Sequence, residues 1–221
     1  GSEMCIRDRT HKGGLATYFR EFLKKVMMAE KPNPRNYRGW MKDQYKRDSL
    51  AWETQPLYGW CNKNKNAEGN NYNIYTDGLK IYTGLNSRMQ QYAEEAVFEH
   101  FSKTLQPEFF KEKKGRKTGP FSVKITDEER ASIISRAIEQ SDRYRHLESE
   151  GLSKKEILKT FDVPTEMSVF TYGGQRDTIM TPRDSILYYK SFLRTGFMAM
   201  DPSTGQVKAY VGGVNYGAFQ Y

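Results

Sequence analysis

Phe197-Met198-Ala199-Met200-Asp201-Pro202-Ser203-Thr204-Gly205-Gln206-Val207-Lys208-Ala209-Tyr210-Val211-Gly212-Gly213 carries the clearest local pattern in the chain. Two short apolar runs flank Asp201-Pro202-Ser203-Thr204-Gly205, in which proline presets one turn dihedral and glycine supplies a positive φ. The spacing predicts a strand over Phe197–Met200 and a return strand over Val207–Val211, closed by Gly212-Gly213.

Working upstream, residues 167–172 read as a strand, Gly173-Gly174 as a turn and 178–180 as the return strand of a second hairpin. Thr181-Pro182-Arg183-Asp184 then starts a helix, with Thr181 as cap, proline first and an acid third. That helix carries Ile186, Leu187, Tyr189, Phe192 and Leu193 and runs to Gly196. Two capping boxes precede the hairpin, Thr126 with Glu129 and Ser153 with Glu156. The first opens a helix with Ile133, Ile134, Ala137, Ile138 and Leu147, ending at Gly151; the second leads into Ile157, Leu158 and Phe161. Together they read as a small helical unit of structural character.

Further upstream, Leu79-Lys80-Ile81-Tyr82-Thr83 alternates and predicts a strand. Asn86 or Ser87 caps a helix whose Met89, Tyr92, Ala93, Ala96, Val97 and Phe101 fall at the spacing of a buried stripe, ending before Pro107. Near the start, Leu15, Phe19, Phe22, Leu23, Val26 and Met27 predict an amphipathic helix over 15–29, packed on a neighbouring domain, with Lys31-Pro32-Asn33-Pro34 as its stop. Residues 35–76 hold Trp40, Trp52 and Trp60 without sustained period, and 62–73 read as a loop. The fold class is therefore α+β: short antiparallel hairpins with amphipathic helices, including an inserted helical subdomain.

Composition narrows the function classes. The chain has 221 residues, with only 37% apolar residues and a mean hydropathy of −0.82, yet 14% are aromatic. A freely disordered chain is poor in aromatics, so ordered elements joined by long polar loops are expected. Net charge is +8, which suits an anionic partner. The run Lys111-Glu112-Lys113-Lys114-Gly115-Arg116-Lys117 reads as a solvated loop. Residues 1–9 (GSEMCIRDR) look like tag or vector sequence and are set aside with Cys5, leaving Cys61 without an internal disulfide partner. With three histidines (His11, His100, His146) and no CxxC, no metal site assembles, and no run approaches the roughly 18 apolar residues of a membrane helix.

The residues of the final hairpin resemble the opening hairpin of the transpeptidase domain in class A (bifunctional) penicillin-binding proteins, an aliphatic strand followed by Asp-Pro-x-Thr-Gly and a second strand ending Gly-Gly. Gly78-Leu79-Lys80-Ile81-Tyr82-Thr83 with Ser87-Arg88-Met89-Gln90-Gln91-Tyr92-Ala93-Glu94-Glu95-Ala96-Val97 is similar to the segment upstream of it. Members usually carry Thr-Ile-Asp where this chain has Gly84-Leu85-Asn86. The helix at 15–25 is similar to the one leaving the glycosyltransferase domain. Thr181-Pro182-Arg183-Asp184-Ser185-Ile186-Leu187-Tyr188-Tyr189-Lys190-Ser191-Phe192-Leu193 looks like the Bacteroidota branch, of penicillin-binding protein 1A-like type. Residues 100–165 match only the family's freedom to insert there. The organisation this implies is 1–9 tag; 10–34 the helix leaving the glycosyltransferase domain; 35–77 an irregular Trp/Tyr-rich linker; 78–106 the strand and helix of the pre-transpeptidase region; 107–165 a helical insertion; and 166–221 a hairpin, a helix and the opening hairpin of the transpeptidase domain.

The resemblance implies a parent that polymerises glycan from lipid II and cross-links stem peptides through a serine acyl-enzyme. That serine is activated by a lysine one helical turn on, in S-x-x-K, so both side chains share one helix face. No serine here has lysine three residues later, and none begins S-x-N. Lys117-Thr118-Gly119 spells the family's third motif, K-T-G, but stands in a charged stretch upstream of the nucleophile's place and reads as coincidence. The glycosyltransferase's E-D-x-x-F-x-x-H-x-G run is absent, and Glu99-His100-Phe101 has its letters in another arrangement. No catalytic, cofactor-binding or metal residue is therefore assigned, and no cofactor.

The expectation is a non-catalytic linker fragment of the peptidoglycan synthase, ending before the nucleophile. The parent would sit on the periplasmic side of the inner membrane, reaching the membrane only through an anchor outside this chain. Partners are the flanking glycosyltransferase and transpeptidase domains, with glycan strands or cell-wall regulatory proteins; nucleic acid is not expected. Two other classes stay open. One is a basic single-stranded nucleic-acid-binding module, to which charge and aromatics are suited; the other is a carbohydrate-binding module using Trp40, Trp52 or Trp60.

Overall fold

The computed structural model describes residues 14–37 and 39–219, apart from the side chain of Trp40. Residues 1–9, including Cys5, and His11 lie outside them. The chain is α+β, helices with two separate antiparallel pairs of strands, and it forms two compact units. Unit 1 takes in 1–94 and 195–221; unit 2 takes in 95–194 and is inserted in the sequence of unit 1.

Unit 1 opens with α1, Thr17–Met27, shorter than the expected 15–29. Of its apolar stripe Met27 is buried, Phe22 is exposed and Leu15, Phe19, Leu23 and Val26 are half-buried, while Ala16, Thr17 and Tyr18, outside the stripe, are covered. Tyr18 sets the helix. Its hydroxyl donates to the Phe219 carbonyl at 2.9 Å, and its ring meets Tyr216 edge-on at 5.0 Å. Gly213 is the residue that admits it, because a Cβ there would lie 2.3 Å from the Tyr18 hydroxyl. Residues 42–54 form α2, Lys42–Thr54, a helix with no apolar stripe and hence without sequence signal. The short α3, Trp60–Lys63, follows.

No strand forms at 79–83. Ile81 and Tyr82 are exposed, and no ladder partner pairs with the segment among the described residues. Alternation of β-formers is a property of the strand, but a strand exists only where its backbone groups find a neighbour. The helix α4, Ser87–His100, begins as read, with the Asn86 side chain accepting from the Met89 N–H at 3.1 Å. Of the expected buried stripe only Ala93 is fully buried. Met89 and Tyr92 are exposed, and the covered residues are Gln90 and Ala93. The closing hairpin, β3 Phe197–Met200 and β4 Val207–Val211, matches the reading, with a bulge between Ala199 and Met200 and Gly205 at φ +70° in the turn.

In unit 2 the helical course continues beyond His100 through a π-helical turn, Phe101–Leu105, into α5, Gln106–Lys113, so it does not stop before Pro107. In an unbroken α-helix the Pro107 ring would strike the carbonyl one turn back. The wider turn precedes it, and Pro107 sits in the first turn of α5, where it has no N–H bond to lose. Lys111 and Lys113 consequently belong to the last turn of α5 rather than to a loop.

The long helix expected from the first capping box is two helices, α6 Asp127–Glu139 and α7 Asp142–Ser149. Ser141 divides them, its hydroxyl oxygen accepting from the Tyr144 N–H at 3.2 Å. Both predicted boxes are complete, at Thr126/Glu129 and at Ser153/Glu156 ahead of α8, Lys154–Thr160. Ile138, Tyr144, Ile157 and Phe161 form the core, with Ile134, Leu147, Leu152, Leu158 and Ile186 packed on it. The hairpin β1 Thr165–Thr171 and β2 Gly174–Met180 turns at Tyr172-Gly173, one residue earlier than expected. Thr181 caps α9, Pro182–Lys190, accepting from Asp184; the helix ends before Phe192 and Leu193.

Candidate functional site

The residues singled out for chemistry are scattered. Lys117-Thr118-Gly119 lies in successive turns between α5 and α6, on no strand. Glu99 pairs with Lys103 at 2.6 Å on an exposed face, which holds its carboxyl below its usual range. His146 lies 3.3 Å from Glu150, likewise exposed. Cys61 is a buried thiol pushed up by desolvation. Among the described residues no group of His, Cys, Asp and Glu is placed to hold a metal ion, and no helix is long and apolar enough to cross a membrane. Two of the tryptophans have engaged rings: Lys63 Nζ lies 4.6 Å over Trp52, and Trp60 stacks on Tyr72 at 4.9 Å.

What the structure does assemble is a pair of glutamine clamps, one in each unit. Gln90 is 1% exposed. Its Nε2 donates to the Tyr210 carbonyl at 2.8 Å, and its Oε1 accepts the Tyr210 N–H at 2.7 Å. The same Nε2 donates to Glu94 at 2.7 Å, and that carboxylate also accepts the Ala16 N–H at 2.7 Å. One helix position thus ties the last strand to the start of α1. Beside it, the Asn86 N–H donates to the Lys208 carbonyl at 2.9 Å. The start of α4 therefore occupies the outer edge of β4 as a neighbouring strand would.

Gln106 repeats the device in unit 2, donating to the Ser191 carbonyl at 2.8 Å and accepting the Leu193 N–H at 2.9 Å. This fixes the chain leaving α9, where Phe192 meets Phe110, Phe170, Tyr172 and Tyr188 ring to ring. Tyr188 adds a donated bond to the Phe170 carbonyl at 2.6 Å. Neither glutamine was marked by the sequence, since each stands among ordinary polar helix residues; the only hint at Gln90 is its place beside an apolar stripe of which Ala93 is buried with it.

A groove of about 610 Å³ runs between this clamp and the hairpin, lined among others by Asn86, Met89, Met200, Asp201, Gln206 and Lys208. Asp201 accepts the Ser203 hydroxyl at 2.6 Å and the Ser203 N–H at 2.9 Å, bonds that bring its carboxyl down to about 2. Lys208 donates to Gln206 at 2.7 Å. Asp201, Lys208 and the Asn86 side chain are thus engaged in the turn and the helix cap. The arrangement holds chain segments in place.

Comparison with known proteins bears on unit 2. Residues 116–193 match the family model described as the penicillin-binding protein middle domain. No curated protein and no solved structure matches the chain. The matched stretch covers α6 to α9 and the β1–β2 hairpin, and includes much of the 100–165 region that the sequence resemblance had left as free insertion. It extends through 181–193, which had been grouped with the transpeptidase opening. The match at 116–193 supports a penicillin-binding protein.

Proposed function

We propose that the chain is a non-catalytic linking and regulatory segment of a bifunctional, class A peptidoglycan synthase of Bacteroidota type, standing between its glycosyltransferase and transpeptidase centres. The observation that carries this reading is the middle-domain match at 116–193, which falls on a unit inserted directly before the hairpin Phe197–Val211. The resemblance of that hairpin and of 78–97 to the transpeptidase side of class A proteins supports the class. The clamps of Gln90 and Gln106 support a holding role, because each spends a buried side chain on fixing backbone rather than on meeting a substrate. In this reading the parent polymerises lipid II and cross-links stem peptides on the outer face of the inner membrane. This segment keeps the two centres in register and presents a surface to glycan or to regulatory proteins.

Incubation with a labelled penicillin tests it. The chain has no S-x-x-K serine, so it should carry no adduct after denaturing electrophoresis, whereas a stoichiometric acyl adduct would overturn the assignment. The natural reading frame offers a second check. Following Tyr221 it should continue into an S-x-x-K transpeptidase sequence, and an unrelated domain there would sink the proposal.

A further inference from the structure

Within unit 2, residues 111–124 hold six cations, Lys111, Lys113, Lys114, Arg116, Lys117 and Lys124, against a single carboxylate, Glu112. Like charges gathered so closely repel, and such a run is ordinarily a loose solvated loop. Here the backbone is held. Lys113 lies over the Phe109 ring at 5.4 Å, and its ammonium donates to the Phe121 carbonyl at 3.4 Å. From α6, Arg130 donates to the Lys117 carbonyl at 2.9 Å. Between these anchors the chain closes consecutive turns, the N–H groups of Arg116, Gly119 and Phe121 donating to the carbonyls of Lys113, Arg116 and Thr118. Carboxylates engage part of the charge. Glu112 lies 3.5 Å from Lys113 and 3.3 Å from Arg116, Glu108 3.8 Å from Lys111, and Asp127 3.2 Å from Arg130. Glu129 is taken up in the capping box with Thr126. Lys114, Lys117 and Lys124 are exposed and form no ion pair among the described residues; Glu128, exposed at the start of α6, is the one nearby acid in the same condition.

From this arrangement we propose that the surface carrying Lys114, Lys117 and Lys124 binds the carboxylates of peptidoglycan stem peptides. The inference rests on the reading of the chain as part of a peptidoglycan synthase and names the surface by which it holds the polymer. Unpaired ammonium groups on a fixed backbone are complementary to a strand that repeats a carboxylate along its length. One exposed pair of this kind is worth little. Several made together on one strand add up through effective concentration, and salt screens them all. The bonded turns favour the contact further, because a segment already held loses less freedom on binding than a loose loop does.

The experiment is co-sedimentation of the full chain with purified peptidoglycan sacculi over a range of salt, beside sacculi stripped of their stem peptides by an amidase and beside vesicles of anionic phospholipid. The chain should pellet with intact sacculi at low salt, progressively less as salt rises, and soluble stem peptide should displace it. The triple variant Lys114→Gln, Lys117→Gln, Lys124→Gln should bind about tenfold more weakly. The triple variant Lys25→Gln, Lys42→Gln, Lys46→Gln removes the same charge from exposed positions of unit 1 and should bind as wild type. Displacement by stem peptide needs no variant, so it decides the matter even where a substituted chain fails to fold. Absence of binding to intact sacculi, equal binding to stripped sacculi or to the vesicles, or equal weakening in the two triple variants overturns the proposal. The penicillin test and the reading frame after Tyr221 are independent of all these results, so the inference and the function it rests on fail separately.

Discussion

A glutamine side-chain amide offers, in one plane, the donor and the acceptor that a neighbouring strand's backbone would present. Gln90 uses both on Tyr210 while fully covered. Gln90→Leu keeps the volume but leaves two backbone groups of β4 without partners, and it should cost about 2–4 kcal/mol in urea unfolding. Gln90→Glu should not restore the loss at neutral pH, since a carboxylate cannot donate to the Tyr210 carbonyl and would face Glu94. If Gln90→Leu unfolds at the wild-type midpoint, the clamp carries no stability. Asp201 acts through charge. Its folded value, about 2, lies below that of an unfolded aspartate, near 3.9. Its contribution to the turn is therefore complete above the unfolded value and fades as pH falls toward 2. Asp201→Asn should remove that contribution, lowering the neutral plateau while leaving stability near pH 2 close to wild type, so that the acid limb between those two values flattens. An unchanged limb would show that other carboxylates govern it.

Elements were legible where a side chain next in sequence completes them. Thr126, Ser153 and Thr181 each bond an N–H three residues on, so their caps could be read directly. The two hairpins were equally plain, being set by local turns. What escaped was decided at a distance. The segment 79–83 alternates correctly and has no ladder partner among the described residues, and the buried positions of α4 depend on a strand about 120 residues away. Lys42–Thr54 was hidden for the opposite reason, because it buries no residue completely and shows no stripe. The break between α6 and α7 had a local cause that was overlooked, the Ser141 cap. Ser141→Ala should cost about 1 kcal/mol, measured as a shift in the chemical-denaturation midpoint at constant slope. Were it neutral, the break would be held by packing alone.

At the scale of the molecule, what could be read of function was the likeness of four segments, 15–25, 78–97, 181–193 and 197–213, to a known family; the part of the matched stretch up to residue 165 has no such short likeness and reads as insertion. Its signal is distributed over a core rather than concentrated in a site. That core gives the two units separate fates under perturbation. Ile157 is 0% exposed, packed within the cluster of Ile138, Tyr144 and Phe161, all in unit 2. Ile157→Ala should therefore cost about 2–5 kcal/mol, the range for truncating a buried aliphatic side chain. Because unit 2 is a contiguous chain segment with its own core, the loss should stay local: amide exchange should quicken across 116–193 while the β3–β4 ladder and the Tyr210 N–H held by Gln90 keep their protection. Equal loss of protection in both units would mean that they unfold as one cooperative body, and that the inserted unit is a structural requirement of the hairpin rather than an addition to it.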